Sequence, residues 1–76
     1  MRFKFQTSNN EAEYESLIAG IKMCKVAGAK EIEAMSDSLL IVSQVNGDYE
    51  ARDPKMIKYL QIVKREIEGL DSFVLT

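Results

Sequence analysis

Apolar residues recur along the chain at two different periods, and each switch between them marks a new element. Arg2–Gln6 alternates polar and apolar positions, which predicts a short strand with Phe3 and Phe5 on one face. From about Asn9 to Ala27 runs an amphipathic helix whose apolar stripe includes Tyr14, Leu17, Ile18, Ile21 and Cys24. Ser8 and Glu11 fit a capping box at its start, and Gly28 follows its end as a residue that takes positive φ at little cost. Lys30–Ser36 reads as a second strand, with Ile32 and Ala34 on one face and Glu31, Glu33 and Met35 on the other. A short helix over roughly Ser38–Asn46 stops at Gly47, and a polar loop leads to Asp53-Pro54. That pair is an N-cap followed by proline at the first helical position. Met56, Leu60, Val63, Ile67 and Leu70 then recur in steps of four and three, a third helix from Pro54 to about Glu68 that Gly69 helps to end. Ser72–Thr76 reads as the last strand.

The order β-α-β-α-α-β predicts an α/β fold, a small and mainly parallel sheet packed by helices, in a single domain over residues 1–76. A chain of this length buries only about 60% of its unfolded surface, so its stability should be marginal.

Composition narrows the chemistry. An apolar share of 46% and a charged share of 29% belong to a folded domain rather than a disordered one. The formal net charge of −2 argues against a strongly basic nucleic-acid-binding module, but leaves room for an enzyme that reaches phosphates through metal ions. The absence of histidine excludes a Ser/His/Asp triad, a Cys/His pair and histidine-based zinc sites. The single cysteine, Cys24, forms no internal disulfide and reads as a small core residue, in keeping with a reducing, intracellular setting. No apolar run approaches the roughly 20 residues of a membrane span, and Met1–Phe5 has no signal-peptide core.

Two acids stand out by position. Glu13 lies one turn before Leu17, near the edge of the apolar stripe, where a purely solvated glutamate is out of place. Asp37 follows the second strand, at the end of a parallel sheet where catalytic groups gather. If the strands are neighbours, both carboxylates reach one rim and can share a divalent cation through oxygen ligands. Plainer readings stand beside these. Asp37 can serve as an N-cap of the short helix, and Glu13 can sit in solvent at the positive end of the helix dipole. Asn9 and Asn10 can be capping residues, and Tyr49 and Tyr59 can stack on bases or simply pack.

The run from Thr7 through Asn10, Glu13 and Ile21 resembles the first-helix signature of ribonuclease H domains. Ser36-Asp37-Ser38 is similar to that family's second acidic motif, and Gln44–Pro54 resembles the segment joining the later helices in plant and retroelement members. The similarity runs over essentially the whole chain. It implies hydrolysis of the RNA strand of an RNA–DNA hybrid by four carboxylates and two Mg2+ (or Mn2+) ions. Matched by motif, Glu13 and Asp37 become catalytic metal ligands, while Asn10 and Ser38 become contacts to the hybrid.

The family pattern has two further strands at its start and a further helix at its end, which carry the other two carboxylates. Asp48, Asp53 and Asp71 do not stand in their places. The 76 residues alone are therefore expected to have no nuclease activity, or only a trace. In the family's sheet two other strands lie between the one matching Arg2–Gln6 and the one matching Lys30–Ser36, so Arg2–Gln6 is expected to move in directly beside Lys30–Ser36. An exposed sheet edge or face would favour a homodimer. Alternatives of other classes are a non-catalytic ribonuclease H-like binding or scaffold module, or an engineered minimal fold without activity.

Overall fold

The structure is a computed structural model that describes every residue except Ser8. The elements run β1 Arg2–Phe5, α1 Asn10–Val26, β2 Glu31–Ser36, α2 Leu39–Val45, α3 Pro54–Ile67 and β3 Ser72–Leu75, in the order expected. The capping box involving Ser8 falls outside the described residues. The N-cap of α1 is Asn9, whose side-chain oxygen accepts from the Ala12 amide at 2.8 Å. Gly28 and Gly47 take positive φ after α1 and α2, as the sequence requires, whereas Gly69 does not.

The sheet order is β1-β2-β3 and both pairings are parallel. Arg2–Phe5 thus occupies the place directly beside Glu31–Ser36, with Phe3 opposite Ala34 and Phe5 opposite Ser36. On the other side Ile32 faces Phe73 and Ala34 faces Leu75. Because side chains alternate along a strand, these residues all project to one face, where α1 and α2 pack. Tyr14, Leu17, Ile21 and Cys24 of α1 meet Phe5, Ile32, Ala34 and Leu75 there in one core. Phe3 seats β1 on α1 by lying against Gly20, where an added Cβ would collide with the ring.

α3 packs mainly on α1 rather than on the sheet. Its expected stripe is therefore only partly covered: Val63 is fully buried, while Met56, Leu60, Ile67 and Leu70 border the core. The opposite face of the sheet carries Arg2, Lys4, Glu31, Glu33, Ser72 and Val74, with an ion pair of 3.0 Å between Arg2 and Glu33. No helix among the described residues is long and apolar enough to cross a membrane.

Candidate active site

Period-two alternation determines what stands at the end of β2. Ile32 and Ala34 point into the core, so the next inward position is Ser36, which presents a hydroxyl where the strand runs out. Glu13 arrives from α1 at the same depth, one turn before Leu17, and is only 3% exposed. Ser36 Oγ donates to Glu13 Oε1, while the Thr7 amide donates to Oε2 at 2.8 Å and the Thr7 hydroxyl lies 3.0 Å from the same oxygen. The Thr7 hydroxyl is also 3.0 Å from the Asn9 carbonyl. It has one proton to give, and a carboxylate is the stronger acceptor.

Burying an unpartnered carboxylate costs several kcal/mol, whereas each hydrogen bond to a charged group returns about 1.5–3 kcal/mol. Three donors around Glu13 thus offset much of the cost of burying it. They also leave a definite remainder. A carboxylate offers about four lone-pair sites; among the described residues Thr7 takes both on Oε2 and Ser36 one on Oε1, which leaves a single site on Oε1.

The network continues into the loop that carries Asp37. Ser36 Oγ accepts from the Ser38 amide at 3.0 Å, and so links Glu13 to the turn on either side of Asp37. The N-cap of α2 is Ser38, whose hydroxyl accepts from the Ile41 amide at 3.4 Å. Asp37 is therefore not the cap that its position alone allowed. It is exposed and, among the described residues, has no hydrogen-bond or ion-pair partner. Asn10, the first residue of α1, is also exposed. The rim thus gathers a buried carboxylate, an exposed one and two polar residues beside them. Among the described residues no group of three His, Cys, Asp or Glu side chains converges on a metal position.

Residue spacing alone does not mark Thr7 or Ser36 as site residues, although Ser36 is the one hydroxyl at an inward position of β2. Gln44 is equally unmarked. It is buried on α2 and accepts from the Tyr14 hydroxyl at 2.7 Å, and burial pushes that phenol up to about 12. Tyr59 packs rather than offering a free face: its ring stacks on Tyr14 at 5.9 Å. Its hydroxyl lies 2.9 Å from Glu15 and 3.2 Å from Glu11, and the bond to Glu15, then burial, raise its pKa to about 12.

Residues 1–76 match the model of a family described as reverse transcriptase-like. Ribonuclease HI of Halobacterium salinarum is 30% identical over 71 residues, covering 93% of this chain and 36% of that protein. A bifunctional protein of Mycobacterium tuberculosis is 39% identical over 57 residues, 74% of this chain and 16% of its own length. Among solved structures, RNase H1 of Halobacterium salinarum superposes with a TM-score of 0.87 at 30% identity, covering 92% of this chain and 53% of that one. The N-terminal RNase H domain of the mycobacterial protein gives 0.85 at 29% identity, with 91% and 53% covered. The chain thus spans about half the length of these solved structures and less of the curated relatives.

Proposed function

We propose that this chain, which belongs to the reverse transcriptase-like family of ribonuclease H-like domains, contributes Glu13 and Asp37 to a metal-dependent site that cleaves the RNA strand of an RNA–DNA hybrid. The observation that carries the reading is the buried carboxylate of Glu13, held by the residue next to Asp37. An apolar side chain would continue the stripe of α1 without the cost of burying a charge. A position that breaks the local stability rule in this way is where function is to be sought.

The donors fit a magnesium or manganese ion, since both groups offer hard carboxylate oxygens. Glu13 has one open lone-pair site on Oε1, and Asp37 stands exposed at the rim. When bound, such ions supply an activated water and neutralise charge on the leaving oxygen. The chain's own residues do the rest. Glu13 fixes one ligand oxygen from within the core, and Asp37 offers a second from a loop tied to the same network. Asn10 faces solvent on the α1 side, and Ser38, which accepts with its oxygen, keeps its proton to donate to a 2′-hydroxyl of the RNA strand. Two carboxylates cannot balance two divalent ions, so cleavage needs further acids from outside these 76 residues. Alone, the 76 residues are expected to be inactive or nearly so.

A chimera tests the proposal. The aligned segment of the Halobacterium ribonuclease HI is replaced by this chain, its folding is checked by circular dichroism, and cleavage of an end-labelled hybrid is followed in magnesium. Cleavage that disappears with Glu13→Gln and with Asp37→Asn is the expected result. A folded chimera that is inactive, or that keeps its activity in Asp37→Asn, would refute it.

A further inference from the structure

The charge on α3 runs against what helix stability favours. Residues 54–65 carry Lys55, Lys58, Lys64 and Arg65 and no acid, while the whole chain has a formal charge of −2, so everything outside this stretch sums to −6. Lys64 and Arg65 lie in the last turn, where cations complement the helix dipole. Lys55 and Lys58 lie in the first turn and just beyond it, where the dipole disfavours them, and that turn holds no acid. Both are exposed, and among the described residues the ion pairs are Arg2–Glu33 and Lys25–Glu66, so neither lysine is neutralised. The helix dipole gives no reason for cations there.

Their surroundings supply one. Lys55 and Lys58 line a groove of about 260 Å³ with Glu11, Tyr59 and Ile62. Glu11 belongs to the same first turn of α1 as Asn10 and Glu13, so the groove opens beside the proposed catalytic rim. We infer that Lys55 and Lys58 form a contact surface for the phosphate backbone of the nucleic-acid duplex whose RNA strand reaches Glu13 and Asp37. The inference rests on the function proposed above and extends it to a surface outside the carboxylate site. The two lysines are about 4.5 Å apart along the helix axis, from a rise of 1.5 Å per residue. Their flexible four-carbon stems let both ammonium groups reach neighbouring phosphates of one strand. Glu11 and Glu15, which hold the Tyr59 hydroxyl, weaken the field on the α1 side and limit the surface to about two contacts rather than a broad patch.

The test measures binding of the whole chain to a fluorescent RNA–DNA hybrid, and to a DNA duplex of the same length, between 50 and 200 mM salt. Three proteins are compared: wild type, Lys55→Gln/Lys58→Gln, and Lys64→Gln/Arg65→Gln as a control of equal charge change. Losing two phosphate contacts should reduce the salt slope by about 1.8, which makes the loss of affinity over this range about tenfold smaller than in wild type. The control should keep a slope close to wild type. Equal effects of the two double variants would overturn the inference, since only net charge would then matter. So would an unchanged slope in Lys55→Gln/Lys58→Gln, or no duplex binding at 50 mM salt. Equal binding of hybrid and DNA with the expected dependence on Lys55 and Lys58 supports the surface while counting against hybrid selectivity.

Discussion

Replacing Ser36 with alanine removes one hydroxyl that has two partners: Ser36 donates to the Glu13 carboxylate and accepts from the Ser38 amide. The bond to Glu13 dominates, because the carboxylate is 3% exposed and water cannot readily take the place of the lost donor. A hydrogen bond to a charged group contributes about 1.5–3 kcal/mol, while the Ser38 amide, in a half-exposed turn, can turn to water at little cost. The expected loss is therefore about 2 kcal/mol. In a domain of this size each kcal/mol moves the melting temperature by about 4–8 °C, so Tm should fall by roughly 8–16 °C. Ser36→Thr keeps the hydroxyl and suits a strand, and should recover most of the loss. Urea denaturation followed by far-UV circular dichroism gives the free energy, with an unchanged m-value showing that the folded state is the same. A loss below about 0.5 kcal/mol in Ser36→Ala, within the range of ordinary surface substitutions, would show that Glu13 does not depend on this bond.

Other expectations follow from the same contacts. Asp37→Asn touches an exposed, unpartnered side chain and should change stability by no more than about 0.5 kcal/mol in the same assay, so that any functional loss is not an unfolding effect. Tyr14→Phe leaves the buried Gln44 oxygen without its donor and should cost about 1–3 kcal/mol, read from the shift of the urea midpoint. The phenols of Tyr14 and Tyr59 both titrate near 12 in the fold against an ordinary value of 10.0. The unfolded chain then releases these protons first as pH rises, so the phenols' contribution to stability should be level below pH 10 and fall between pH 10 and about 12. Midpoints that stay constant up to pH 12 would contradict the burial of Tyr14.

Much of this molecule can be read from residue spacing. The steps of α1 and β2 predict their buried faces because one side of each meets the core and little else competes. α3 is less legible: its stripe is the most regular in the chain, yet it buries mainly Val63, because the helix lies on α1 at the margin of the core. At the site, Glu13 is visible as an acid where the stripe calls for an apolar residue, and Asp37 as an acid at a strand end. Thr7 and Ser36 are harder to see. Their role depends on two segments meeting across the sheet, and a hydroxyl at an inward strand position has meaning only once its partner is known. Lys55 and Lys58 are ordinary surface lysines until the packing of α3 on α1 sets them beside Glu11 and Tyr59.

If Glu13 and Asp37 serve one cation, paramagnetic manganese will reveal it at the amides around both. In a ¹⁵N-labelled sample of this chain, substoichiometric Mn2+ should broaden the amide signals around Glu13 and Ser36–Ser38 first, and Asp37→Asn should sharply reduce that broadening. Broadening centred instead on Asp48, Asp53 or Asp71, or broadening around Glu13 that Asp37→Asn leaves unchanged, would contradict the account.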